Sequence, residues 1–377
     1  MDAFYASVEL LRYPELRGQP VVIGGDCAHH PRTGAAAGRC FSRLRDYVGR
    51  GVITTASYEA RALGVTSAMA IMKAARLAPE AILLPVDFAA YRHYSRRFKS
   101  AVADIAPQIE DRGIDEIYID LGGLPEDTRM LAQRIKEAVR TATGLSCSIG
   151  VAANKLLAKI CSDLDKPDGL TVLAVDDIER RIWPLPVRRI NGIGPKAGGR
   201  LAALEIHSIG DLASADISLL QLHFGRRYAS WLYDVARGID ERPLVISSEP
   251  KSISRETTFE RDLHPRTDRE ILSEVFTSLC ARVAEDLSRK GCLGRTIGIK
   301  LRFADFETAT RDLTLPAATA DLQTIRRAAG ECLRRIPLDR KLRLLGVRVS
   351  TLSALRSMHE PRQGELALIA EVPDRPA

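Results

Sequence analysis

At 377 residues the chain is too long for a single compact core, and roughly two to four domains are expected. No apolar run approaches the roughly 20 residues of a membrane-spanning helix, and the start "MDAFYASVEL" is acidic and helix-like without a signal-peptide pattern, so a soluble globular protein is expected. The net charge of +7 is concentrated: residues 251–350 hold 20 Lys and Arg against 14 Asp and Glu, which points to a dedicated polyanion-binding module.

In chain order, "PVVIGG" (20–25) reads as a short buried strand ending in a turn. The Gly- and Arg-rich stretch that follows, to about residue 50, reads as an inserted, mobile surface loop. Within it Cys27, His29, His30 and Cys40 match no common zinc-ligand spacing and are read as solvated loop. The seven cysteines form no CxxC pair, which fits reduced thiols and a cytoplasmic location. "VITTASYEARALGV" reads as a strand running into a helix, and "MAIMKAARLAPEAILLPVD" as a helix, a proline break and a strand. An amphipathic helix "YRHYSRRFKSAVADIAPQIED" leads to a strand "GIDEIYIDL", a helix closed by Gly144, a strand "LSCSIGVAA" and a helix "NKLLAKICSDLDKPDG" ending at Pro167. This alternation argues for a sheet covered by helices.

Residues 176–241 read as mainly helical, and "ERPLVISSEP" as a linker. In the last block, "TIGIKLRF" places Ile297, Ile299, Leu301 and Phe303 on one face and Lys300 and Arg302 on the other. "LLGVRVS" sets Leu345, Val347 and Val349 against Arg348. With a helix "DLQTIRRAAGECLRRI" for its apolar back, such a sheet offers a basic front suited to a phosphate backbone.

Four constellations carry chemistry. Asp115 and Glu116 are adjacent acids among apolar, β-branched neighbours; on an ideal strand they would face opposite ways, so they converge only at a twisted or bulged end. Together they suit a hard divalent cation that keeps positions for substrate phosphates. In "SYEAR", Tyr58 and Arg61 lie one helical turn apart and can together grip a triphosphate. Lys155 and Lys159, at i and i+4, read as a solvated stripe, whereas Lys166 before Pro167 can project into a cleft. In "NGIGPK", Gly192 and Gly194 precede a helix start and let backbone N–H groups approach a phosphate, with Lys196 alongside.

In order along the chain, "DAFYASVE", "SYEARALGVTSAM", "GIDEIYIDL", "SIGVAANKLLAKICSDLDKPDGLTV", "INGIGPKAGGRL", "KSISRETTF" and "RLLGVRVS" resemble the Y-family DNA polymerases of the DNA polymerase IV type, over nearly the whole chain. The resemblance implies a multidomain α/β, right-hand architecture. Its palm would span 1–9 and 88–175, its fingers 10–87 with the insertion at about 26–50, and its thumb, with a helix-hairpin-helix, 176–241. A linker at 242–250, a little finger at 251–352 and a flexible tail at 353–377 complete it. It implies low-fidelity, template-directed DNA synthesis past damaged bases by two-metal nucleotidyl transfer.

By position, the resemblance makes Asp115 and Glu116 the catalytic, metal-holding pair, with the Met1 backbone carbonyl as a further ligand, for two Mg²⁺ ions. Tyr5 matches the aromatic that crowds a ribose 2′-OH. Phe4, Tyr5, Thr55, Tyr58, Arg61 and Lys166 match dNTP contacts. DNA contacts fall on Gly192, Gly194, Lys196, Lys251, Arg255, Lys300, Arg302 and Arg348. In the tail, Gln363, Leu366 and Leu368 have the spacing of a peptide that binds a bacterial sliding clamp. The expected partners are primer–template DNA, dNTP and that clamp, with no membrane and the protein a monomer working at the nucleoid.

Three departures from the family pattern are visible. The first Asp of the usual opening block is not in the sequence, and Asp2 matches the second acid, about 6–7 Å further along a strand. A truncated first palm strand, leaving a gap in the sheet, is therefore expected, and with it an alternative reading as a catalytically impaired, polymerase-shaped DNA-binding or recruitment subunit. The loop after "VVIGG" is longer than the family's, and Glu205 stands where glycine is common.

Overall fold

The computed structural model describes residues 1–33, 38–247 and 249–355. The chain divides into two compact units, Met1–Ser248 and Glu249–Ala377.

The first unit opens with α1 (Phe4–Arg12), which buries Phe4, Ala6, Val8 and Glu9. Strand β1 (Val21–Gly25) is followed by the short pieces β2 (Arg32–Thr33), β3 (Arg39–Cys40), β4 (Ser42–Arg43) and β5 (Thr55–Ala56). Helices α2 (Tyr58–Ala62) and α3 (Ile71–Leu77) and strand β6 (Ile82–Pro85) complete this part. Its sheet runs β4-β6-β1-β5, with β1 and β6 parallel. Val21–Ile23 and Ile82–Leu84 are buried on both faces, as continuous apolar runs require.

The insertion corrects the expectation of a mobile loop. β4 pairs antiparallel with β6, and Leu44 and Tyr47 are buried in the core behind the sheet. Two apolar side chains at this spacing anchor the second half of the segment. His29 turns to Asp26, its Nδ1 lying 2.7 Å from Oδ1.

Next come α4 (Phe88–Ala103), β7 (Ile109–Asp111), β8 (Ile117–Ile119), α5 (Thr128–Thr143), β9 (Ile149–Val151), α6 (Lys155–Ser162) and β10 (Leu170–Val172). Asp87, Asp127 and Asn154 cap α4, α5 and α6 by accepting backbone N–H bonds. The sheet expected here is in two ribbons, β7–β8 antiparallel and β9–β10 parallel. One apolar layer backs both, built from Phe98, Val102, Ile135, Val139 and Cys147 with Ile117, Ile119 and Ile149 against it. The expected gap lies between the ribbons. The nine-residue strand expected for "GIDEIYIDL" shrinks to Ile117–Ile119, so Asp115 and Glu116 lie on the turn that enters β8.

Helices α7 (Ile178–Arg181), α8 (Pro195–Ala202), α9 (Ile209–Ser214), α10 (Ile217–Phe224) and α11 (Arg226–Ala236) pack onto Leu156, Leu157 and Ile160 of α6. Glu205 has φ 57°, in the left-handed region that favours glycine, which accounts physically for the residue it replaces.

The second unit is one antiparallel sheet under two helices. β11 (Ser252–Leu263), α12 (Arg269–Arg289), β12 (Cys292–Phe303), β13 (Thr308–Thr319), α13 (Leu322–Arg334) and β14 (Leu342–Ala354) give the strand order β11-β14-β12-β13. Ile297, Ile299, Leu301 and Phe303 are buried on the helix side, as their alternation requires.

Candidate active site

Asp115 and Glu116 line a cavity of about 800 Å³ between the ribbons, together with Met1, Lys155, Lys159 and Lys166 among others. The backbone C=O of Asp115 accepts a 2.9 Å bond from the Met1 ammonium, which sets the Met1 main chain beside the acids. Glu116 Oε1 lies 3.5 Å from Lys159 Nζ. Asp2 does not join them. It is buried, its Oδ1 accepts from Ser148 Oγ at 2.7 Å, and its Oδ2 accepts from Ser146 Oγ and the Asp168 N–H, both at 2.9 Å. Asp2 thus ties α1 to β9 and the loop before β10.

Among the described residues no group of three or more His, Cys, Asp or Glu forms a metal cage. Two neighbouring carboxylates at an open cavity still fit Mg²⁺, which commonly takes one or two carboxylates and completes its shell with water and phosphate oxygens.

Tyr5 lies in an aromatic cluster, stacked on Tyr91 with centroids 4.2 Å apart and meeting Phe88 edge-on. Burial, and then the charge of Asp115, push its phenol above its ordinary pKa, so the ring is close enough to the acids to feel them. The Phe4 side chain is buried against Phe98, because it faces the core side of α1. Thr55 is likewise buried within β5, paired in register with Ile23.

Tyr58 and Arg61 meet as their spacing requires, the guanidinium lying 4.9 Å from the ring centroid, with Arg61 Nε donating to the Ala56 carbonyl at 3.0 Å. The Tyr58 hydroxyl is buried, and among the described residues it has no hydrogen-bond partner. Burial raises its pKa, followed by the charges of Asp2 and Asp163. Lys166 Nζ sits 2.5 Å from Asp163 Oδ1.

Lys155 and Lys159 are not a solvated stripe. Lys155 donates to Glu110 Oε2 and to the Pro243 carbonyl, both at 2.7 Å, and Lys159 stands between Glu116 and Asp163. Sequence reasoning missed Lys159 and Asp163. The available signal was their placement at four and three residues from Lys155 and Lys166 on a helix already assigned.

In the hairpin, Gly192 adopts φ 109°, and a Cβ there would meet the Trp231 ring at 2.8 Å. Gly194 caps α8, and Lys196 is exposed in its first turn. In the second unit Lys251 is exposed just before β11. On the sheet face away from the helices, Lys300 pairs with Glu256 at 2.8 Å and Arg348 with Asp312 at 2.9 Å, while Arg302 Nε donates to Thr308 Oγ1 at 3.2 Å. Arg255 corrects its expected place among them. It shares the parity of the buried Ile253 and Phe259 and pairs at 2.5 Å with Asp286, a buried residue of α12. Gln363, Leu366 and Leu368 lie outside the described residues.

Three family models match in series: the impB/mucB/samB family over residues 1–163, the DNApol eta/Rev1 HhH motif over 185–239, and the impB/mucB/samB C-terminal domain over 250–366. A DNA polymerase IV of Methanoculleus marisnigri is 41% identical over 355 residues, 93% of this chain and 92% of that protein. Among solved structures, a Y-family DNA polymerase chimera superposes with a TM-score of 0.76 at 27% identity, covering 93% of this chain and 96% of its own. An insertion ternary complex of Dbh DNA polymerase does so at 0.62 and 26%, with the same coverage. Serial domain matches, a near-full-length relative and the shared fold agree: the chain belongs to the Y-family of DNA polymerases, translesion enzymes that are DNA-directed DNA polymerases.

Proposed function

We propose that Asp115 and Glu116 hold two Mg²⁺ ions for nucleotidyl transfer to a primer 3′ end, with the domain boundaries expected from the sequence. The observation that carries this is one cavity bringing both acids together with Lys166. When bound, the metal ions neutralise charge on the reacting phosphates. The chain's own residues do the rest. The unpartnered Tyr58 hydroxyl offers a hydrogen bond to a phosphate oxygen, and Arg61 and Lys166 add charge-assisted ones. The Tyr5 ring, held by Tyr91 and Phe88, crowds the sugar's 2′ position. Backbone N–H groups at Gly192 and Gly194 with Lys196, and the face bearing Lys300, Arg302 and Arg348 with Lys251, hold DNA phosphates.

Asp115→Ala and Glu116→Ala are expected to lower primer extension by about a thousandfold, from several kcal/mol of lost transition-state stabilisation, while DNA binding is kept. Robust extension by either variant overturns the assignment. Gln363, Leu366 and Leu368 are proposed to bind a sliding clamp. Removing residues 363–377 then abolishes clamp stimulation and spares unstimulated extension; equal stimulation of the truncated protein refutes it.

A further inference from the structure

A carboxylate is out of place in a pocket that grips a triphosphate, since it repels the ligand. Asp163 nevertheless stands against Lys166, which lines the cavity. It ends α6, and a helix C-terminus is the less favourable end for an acid, so the helix does not explain it. Its surroundings do. Oδ1 takes the Lys166 ammonium at 2.5 Å, Oδ2 lies 3.7 Å from Lys159 Nζ, and Lys159 reaches on to Glu116 at 3.5 Å. Burial alone would push its carboxyl up. The Lys166 hydrogen bond and the charges of Lys159, Lys166 and Arg189 outweigh that and hold it below its ordinary range, so it stays anionic. The charge of Asp163 is also felt at the Tyr58 phenol.

Lys166 needs such an anchor. It sits on the loop between α6 and β10, and a lysine side chain carries about 2 kcal/mol of rotamer entropy. Binding one of its three N–H donors to Asp163 sets the direction of the ammonium and leaves two donors for phosphate.

We propose that Asp163 is a positioning residue for the incoming nucleotide: it fixes Lys166 and, through Lys159, couples the phosphate grip to Glu116 before the nucleotide arrives. This rests on the reading of Lys166 as a triphosphate contact. The opposite role, an internal counter-ion that competes with phosphate, predicts the opposite sign and is decided by the same measurement.

The test is dNTP affinity in the ternary complex on a dideoxy-terminated primer–template, followed by fluorescence, which needs no turnover. Lys166→Ala is expected to weaken dNTP binding about tenfold, the scale of one charge-assisted hydrogen bond. Asp163→Ala is expected to weaken it comparably and Asp163→Glu to restore part of the loss. The double variant Asp163→Ala/Lys166→Ala should bind no more weakly than Lys166→Ala alone, because the two act as a unit. Asp163→Asn keeps the shape, removes the charge and is read in place of the alanine variant if that one does not fold; weaker dNTP binding is expected with an unchanged melting curve. If Lys166→Ala binds dNTP normally, the grip reading fails and the inference falls with it. If Lys166→Ala is weakened but the Asp163 variants are not, or if the two losses add, the grip stands and positioning is refuted. Tighter binding by Asp163→Asn identifies a competing counter-ion and overturns the proposal outright.

Discussion

Glu110 is 3% exposed, and its carboxylate is fully engaged: Oε2 accepts from Lys155 Nζ at 2.7 Å and the Val245 N–H at 2.9 Å, and Oε1 accepts from Arg112 at 3.3 Å. Burial works against its charge, yet the Lys155 and Val245 hydrogen bonds prevail and hold it below the ordinary glutamate value. Removing one partner strands a buried charge. Lys155→Met is therefore expected to cost about 3–5 kcal/mol, seen as a large fall in the denaturant midpoint, and Glu110→Gln/Lys155→Met to regain much of it. Because the folded pKa is depressed, this stabilisation is complete above the unfolded value of about 4.5 and fades as pH falls through the lower folded one. Unfolding curves between neutral and strongly acidic pH should show that component in the parent and not in Glu110→Gln; identical pH profiles would count against it. Such pairs were not legible in the sequence. Spacing shows that Lys155 and Lys159 share a helix face, but not that a carboxylate 45 residues away packs over it. Tyr58 and Arg61 were legible because their contact is local. Arg255 could have been read correctly, since Ile253 and Phe259 already showed which parity of β11 turns inward.

Among the elements, length decided legibility. The 12- and 13-residue strands β12 and β14 give several turns of alternation, and the faces read from it are those observed. The ribbons β7–β8 and β9–β10 use three-residue strands, too short to carry a period, and their hydrophobic runs suggested one longer sheet. The placement of Asp115 and Glu116 before β8 also removes the opposite-face difficulty, since neither is bound to the pleat of the strand. On the basic front, two cations are already neutralised by acids two strands away: Lys300 reaches Glu256 across Gly346 of β14, and Arg348 reaches Asp312 across Gly298 of β12. The DNA-binding strength of this face is thus restrained by its own acids. Glu256→Gln with Asp312→Asn is expected to tighten non-specific DNA binding and steepen its salt dependence, by up to about 0.9 log unit per freed cation on duplex DNA. Unchanged binding and slope in a salt titration would show that this face does not meet phosphate.

For the molecule as a whole, the two units have separate hydrophobic cores. That of the second is closed by the two helices α12 and α13 against its own four strands. A segment of roughly 100 residues with its own core lies within the normal range of an independent domain. Residues 249–355 expressed alone are expected to give a single cooperative melt with native-like circular dichroism. A non-cooperative transition would show that the core depends on the rest of the chain. The concentration of positive charge in residues 251–350 had already set this segment apart in the sequence, because charge, unlike short strands, accumulates over a whole domain.

The division of this layer into two ribbons, β7–β8 and β9–β10, has a consequence for amide exchange. The β7–β8 register commits the N–H groups of Tyr118 and Asp120, leaving those of Ile117 and Ile119 directed to the far edge, while β9 spends Ile149 and Val151 on β10 and leaves Gly150. Short strands secured along one edge open more cheaply than strands flanked on both. The backbone beside Glu116 therefore belongs to the least protected part of its layer, and whatever fills the cavity and meets those N–H groups will be recorded there first, as slowed exchange with solvent deuterium.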